Sequence, residues 1–250
     1  MSENQKKVWI TGASSGIGKA VAEKFAEEGW KVAVSARRKE ILDEMAKNQN
    51  IFSYPLDVTD QERVNNVFTN IINEFGNIDV CIFSSGTYDP KNEETIDVEK
   101  INNVININFL GVVKCVKAVE SYFKKKRRGQ ISIVSSIAGY RGLPNSSGYG
   151  PSKAALTNFT ESIYFDFKKF NVRVTVISPG FIKTPLTDKN KFSMPFLETP
   201  EFAAKKIFEG LIKKKSFEIH FPKSLTLILK FLRVLPYKIY LFLIDKGVKR

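Results

Sequence analysis

Short apolar runs alternate with amphipathic stretches along the whole chain. Val8-Trp9-Ile10 runs straight into Thr11-Gly12-Ala13-Ser14-Ser15-Gly16-Ile17-Gly18. Lys19 to Glu28 then shows a helical period, with Val21, Ala22, Phe25 and Ala26 on one side and Gly29 as its stop. Further strand candidates are Lys31 to Ser35, Ile51 to Asp57, Asp79 to Ser84, Gln130 to Ser135, Arg173 to Ser178 and Phe217 to Phe221. Several are continuously apolar, as expected of parallel strands covered on both faces. Strands alternating with helical segments predict an α/β fold built on a doubly wound, parallel, seven-stranded sheet. At 250 residues the chain fits one such domain, and no repeat, low-complexity tract or linker interrupts it.

The pattern changes after the last strand. From Lys223 to Arg250, large apolar residues crowd the chain: Leu225, Leu227, Ile228, Leu229, Phe231, Leu232, Val234 and Leu235, with Lys230 and Arg233 on a narrow polar strip. Pro236 breaks or restarts the helix, and Ile239 to Ile244 is a second apolar run. Neither piece reaches the ~20 apolar residues that span a bilayer. Residues 1–222 thus read as the α/β domain and 223–250 as an amphipathic extension. Charge sharpens this: Lys205 to Arg250 holds twelve Lys/Arg against three Asp/Glu, most of the chain's net +13. Apolar breadth with interspersed cations reads as an interfacial helix pair on acidic lipid. The competing reading is a tail that packs on its own core or on a second subunit. A nucleic-acid partner is not expected, because no DNA- or RNA-binding motif accompanies the charge.

Three features carry chemistry. The Gly-rich turn between a strand and a helix is the unit that seats a pyrophosphate on backbone N–H groups at a helix N-terminus. Tyr149 and Lys153, at i and i+4, share a helix face, so an ammonium can favour the phenolate and bring it toward working pH. Pro151 suits that helix's first turn. Cys81 and Cys115 read as buried free thiols, and with one histidine, His220, no metal site or Ser-His-Asp triad is expected. Lys124 to Arg128 reads as a solvated basic cluster.

In order along the chain, Thr11-Gly-x-x-x-Gly16-x-Gly18, Asp57-Val58, Asn108-Phe109-Leu110-Gly111, Ser136, Tyr149-x-x-x-Lys153 and Pro179-Gly180 with Thr184 resemble the short-chain dehydrogenase/reductase family over about residues 6 to 222. The resemblance implies a Rossmann-like fold, with Ser136, Tyr149, Lys153 and Asn108 as the catalytic set. Tyr149 would protonate a carbonyl oxygen, Ser136 would hold that oxygen, and Lys153 would contact the nicotinamide ribose. Asn108 would keep a water joining Lys153 to solvent. Implied cofactor contacts run through Thr11, Gly12, Ser14, Ser15, Gly16, Ile17, Gly18, Arg37, Arg38, Asp57, Val58, Ser85, Gly86, Pro179, Gly180, Ile182 and Thr184, with Tyr149 and Lys153. One departure stands out: Phe83-Ser84-Ser85-Gly86 replaces the family's Asn-Asn-Ala-Gly, so a sheet-stabilising asparagine is lost at Phe83.

At the end of the second strand Ala36 stands where NAD-preferring relatives place an acid, and Arg37-Arg38 follow. Without the acid to repel a 2′-phosphate, and with arginine to grip it, the reading is NADP(H). The expected activity is reduction of a hydrophobic, lipid-like ketone at a membrane surface. The alternatives are a soluble reductase of a small carbonyl and a non-catalytic NADP(H) sensor or scaffold. The resemblance implies a homodimer or homotetramer. The polar, charged N-terminus shows no signal peptide, so the expected location is cytoplasmic, attached peripherally to the inner face of a membrane.

Overall fold

The computed structural model describes residues 5–88, 96–190 and 193–247. Seven strands form one sheet in the order β3-β2-β1-β4-β5-β6-β7, every neighbouring pair parallel. They are β1 (Lys7–Thr11), β2 (Lys31–Ser35), β3 (Ile51–Ser53), β4 (Val80–Phe83), β5 (Gln130–Val134), β6 (Arg173–Pro179) and β7 (Glu218–Phe221). Chain order reverses between β1 and β4, and such a switch point leaves a crevice at the strands' C-terminal ends.

Side-chain alternation builds a core on each face. Val8 and Ile10 of β1 and Val32 and Val34 of β2 point to the layer holding α1 (Gly16–Glu27) and α7 (Pro200–Phe208). Trp9 and Ala33 point to the opposite layer, with α3 (Gln61–Phe75), α5 (Gly111–Lys126) and α6 (Tyr149–Lys168). A short α2 (Lys39–Met45) follows β2, and α4 (Val98–Ile105) runs through a π-helical turn, Asn106–Leu110, into α5. Local chemistry sets several ends. The Asp60 carboxylate accepts from the Arg63 N–H, and the Thr199 hydroxyl accepts from the Phe202 N–H ahead of α7, which opens on Pro200.

Some expected bounds move. The first helix begins at Gly16 rather than Lys19, so the last two glycines of the turn lie in its first coil. The third strand stops at Ser53, because Pro55 has no N–H for the ladder; the Leu56 N–H still donates to Ala36 and keeps the chain extended. The Lys124–Arg128 cluster is tied down only in part, with Lys125, Arg127 and Arg128 exposed. Lys124 pairs with Glu120, and Lys126 donates to the Ile78 carbonyl. Cys81 and Cys115 are both buried and unbridged.

The extension is two helices, α8 (Lys223–Val234) and α9 (Tyr237–Gly247), separated at Leu235-Pro236. The inner face of α8 packs on the body: Leu225 joins Ile137 and Tyr140 in a small core, with Leu229 and Phe181 against it. His220 at the end of β7 bonds Thr226 and Lys223 and so fixes the start of α8. No helix among the described residues is long and apolar enough to cross a membrane.

Candidate active site

A cleft of about 470 Å³ lies along the switch point. Its first wall is the turn after β1. Gly12 has φ +70, and a Cβ there would stand 2.6 Å from the Ser84 carbonyl oxygen. A Cβ on Gly18 would stand 2.3 Å from the Gly12 carbonyl oxygen, so glycine lets α1 close on the turn. Its N-terminal N–H groups are left for a ligand. Arg38 reaches across from β2: its Nη2 donates to the Ser14 and Ser15 hydroxyls at 2.9 Å each, and its Nε to Ser14 at 3.2 Å. A guanidinium and two hydroxyls are therefore gathered beside Ala36, with Arg37 on the same wall. At Asp57, burial raises the carboxyl, but hydrogen bonds from Thr59 and the Arg37 charge outweigh it and hold it below its ordinary value.

The other end of the cleft is built by α6. Tyr149 opens the helix after Gly148, Pro151 falls in its first turn, and Lys153 follows one turn on. The Lys153 Nζ lies 5.6 Å from the Tyr149 ring centroid, as the i,i+4 spacing requires, and donates to the Val134 carbonyl at 3.0 Å. Burial pushes the Lys153 ammonium down to about 8. Ser135 and Ser136 have divided tasks. The Ser135 hydroxyl donates to the Lys153 carbonyl at 2.7 Å and bonds Thr157, which makes it structural. Ser136 caps a 3₁₀ turn, accepting from the Ala138 N–H at 3.1 Å, and lines the cleft.

Asn108 sits in the π-helical turn, fully buried, and its amide is spent on protein. It accepts from the Thr87 N–H at 2.7 Å and donates to the Thr87 carbonyl and the Ser152 hydroxyl; Ser152 in turn donates to the Tyr149 carbonyl. Asn108 thus clamps the segment after β4 to the first turn of α6.

The structure brings Gly12, Ser14, Ser15, Gly16, Ile17, Gly18, Arg37, Arg38, Asp57, Val58, Ser85, Gly86, Ser136, Tyr149, Lys153, Pro179, Gly180, Ile182 and Thr184 onto one cleft. Thr11 and Asn108 are fully buried and lie behind its wall. Thr11 explains the departure at Phe83. The two are register partners across β1 and β4; Phe83 packs edge-on against Trp9 at 5.6 Å, and the Thr11 hydroxyl is buried without a partner. An aromatic contact therefore stands beside an unpartnered hydroxyl there. Tyr88, which the sequence did not single out, packs its ring 4.9 Å from that of Tyr149, and Lys189 donates to its carbonyl. No local signal points to it, since loop residues sixty positions from Tyr149 are joined only by the fold. His220 lies outside the cleft lining, and Phe192 of the loop before α7 lies outside the described residues. In that loop Phe196 and Leu197 are exposed.

Comparison with known proteins places this geometry among relatives. A family model described as short chain dehydrogenase matches residues 6–193. A 3-oxoacyl-(acyl-carrier-protein) reductase of Thermotoga maritima is 36% identical over 185 residues, 72% of this chain and 75% of that protein. A 3-ketodihydrosphingosine reductase of Bacteroides thetaiotaomicron is 34% identical over 189 residues, 74% of this chain and 67% of that one. Among solved structures, ElxO with NADP bound superposes with a TM-score of 0.77 at 30% identity, covering 86% of this chain and 97% of that one.

Proposed function

The chain belongs to the short-chain dehydrogenase family and is an oxidoreductase, and we propose that it reduces a hydrophobic, lipid-like ketone with NADPH at a membrane surface. The observation that carries the chemistry is the buried Lys153 ammonium against the Tyr149 ring, at the end of a cleft whose other end gathers Arg38, Ser14 and Ser15.

The residues fit a dinucleotide with a 2′-phosphate. Glycine leaves the turn after β1 open to close approach, and the Arg38 fork with its serine hydroxyls suits a phosphate beside a position that lacks an acid. The bound NADP of ElxO supports the same choice. Bound there, the reduced nicotinamide supplies the hydride. The protein supplies the rest. Tyr149 gives its phenolic proton to the carbonyl oxygen, and the nearby Lys153 cation favours the phenolate that remains. The Ser136 hydroxyl donates to the same oxygen, polarising the carbonyl and fixing its distance. Asn108 acts through others, holding the Thr87 segment and Ser152 so that Tyr149 keeps its place.

The substrate class rests on the apolar loop residues Phe196 and Leu197, the apolar extension rooted at the same sheet edge, and two relatives named for 3-oxo lipid substrates. A sensor or scaffold would need no Ser136, Tyr149 and Lys153 together. Turnover of NADPH and NADH with ketones of graded chain length tests the proposal. Faster NADPH oxidation with longer ketones is expected, and a Tyr149→Phe enzyme should lose about a thousandfold in kcat with little change in NADPH affinity. Turnover by that variant at the wild-type rate would remove the assignment.

A further inference from the structure

The extension has two faces in different states. Its inner face is used: Leu225 and Thr226 are buried on the body, Tyr240 of α9 is buried, and its hydroxyl donates to the Gly142 carbonyl at 2.5 Å. Arg141, in the loop between Ser136 and Tyr149, locks the corner between the two helices. Its Nη1 donates to the carbonyls of Leu232, Arg233 and Leu235 at 3.1, 3.2 and 2.6 Å. The same guanidinium lies over the Tyr237 and Tyr240 rings at 4.4 and 4.1 Å. The pair is therefore pinned to the body at its corner, not a loose tail.

Its outer face is bare. Leu227, Ile228, Phe231 and Val234 follow the helical repeat along α8 and are 51 to 77% exposed; Leu241 and Phe242 of α9 are 60 and 56% exposed. Isolated apolar residues on a surface mean little, but a continuous stripe on a pinned element marks a contact. Around it stand cations. Among the described residues Lys223, Arg233, Lys238 and Lys246 are exposed against one exposed acid, Asp245, while Lys230 is turned to the body and paired with Glu218. That charge decides between occupants. A second copy of this chain, itself at +13, would press like charges together across a twofold axis, whereas a surface of anionic headgroups meets them with opposite charge. The helices are also too short to cross a bilayer, which leaves them lying in its surface.

We infer that the outer face of α8 and α9 is a preformed docking surface for an anionic phospholipid bilayer, held by Arg141 in a fixed pose against the loop that joins Ser136 to Tyr149. It deepens the reductase reading by naming the surface at which the ketone is met, and it rests on that reading only for this purpose. The helix pair starts at the strand ends that border the cleft: a Cβ on cleft-lining Gly180 would lie 3.1 Å from Leu225.

The full-length protein is pelleted with sucrose-loaded vesicles of phosphatidylcholine alone or mixed with phosphatidylglycerol, a readout that needs no turnover. It should pellet with the anionic vesicles, and less so in high salt. The paired substitution Phe231→Ser and Phe242→Ser should lose about tenfold in vesicle affinity, yet reduce a water-soluble ketone at the wild-type rate. Should that pair misfold, Lys238→Glu with Lys246→Glu changes only exposed side chains and should lose the preference for anionic vesicles. Wild-type protein that stays in the supernatant, or pellets no better than both variants, overturns the inference. So does an assembly that falls apart in the Phe231→Ser/Phe242→Ser protein while the wild type ignores vesicles, because the face then belongs to a second copy. Protein that docks but reduces no ketone leaves the surface standing and removes the reductase reading instead.

Discussion

Burying an ammonium is costly, and Lys153 carries that cost at the centre of the site. Burial lowers it from 10.5 to about 8, so it keeps its charge at neutral pH. Between pH 8 and 10.5 the unfolded chain holds a proton that the folded one has released, and stability contributed by this residue rises over that window. A Lys153→Met protein lacks the effect. Denaturant titrations of the two should show the wild type gaining roughly 3 kcal/mol on the variant between neutral pH and pH above 10. Wild-type kcat/KM should fall over the start of the same window, as the cation beside Tyr149 is lost. A stability difference independent of pH would mean that Lys153 is not buried as a cation. Tyr149 and Lys153 were legible because helical periodicity alone joins positions four apart. Tyr88 and Thr87 were not, because only the return of the segment after β4 to the head of α6 brings them to the site. Choosing Ser136 over Ser135 needed family spacing; that the Ser135 hydroxyl is committed to Lys153 and Thr157 was not legible in the sequence.

Elements were more legible than their joints. Lys31–Ser35 matches its expected bounds, and the break of the extension at Pro236 separates α8 from α9 as the pattern indicated. Continuous apolar runs announce buried strands, and proline announces a break. The π-helical turn around Asn108 left no such trace. It inserts a residue into an otherwise ordinary helix, and what it changes is where one amide points. The Arg141 lock was equally silent, since its carbonyl partners lie about ninety residues on and carbonyls have no sequence signature. Removing it should matter. Arg141→Ala loses three charge-assisted bonds and two ring contacts, and about 2 kcal/mol of hold on the helix pair. Limited trypsin digestion should then cut within residues 223–247 well before the sheet domain. Unchanged cleavage kinetics would show that the inner apolar face alone holds the two helices.

Across the whole molecule, polarity is arranged by edge. The cleft, the apolar loop before α7 and the root of the extension all belong to the strands' C-terminal ends, while the Lys124–Arg128 cluster sits at the opposite edge, before β5. Chain order explains this, because in a parallel sheet every strand exits on one side and each helix returns the chain to the other. Composition gave the excess of positive charge but not its partition between tied-down lysines and bare ones. The two tryptophans complete the layout. Trp9 is wedged among aromatics on one face of the sheet and Trp30 against Phe25 and Phe208 on the other, and no tryptophan follows residue 30. The protein's tryptophan emission therefore reports its two core layers, and no tryptophan sits on α8 or α9. An indole set at Phe231 would be the first to sit in the open, and its shift toward the blue would record lipid contact against an unchanging background.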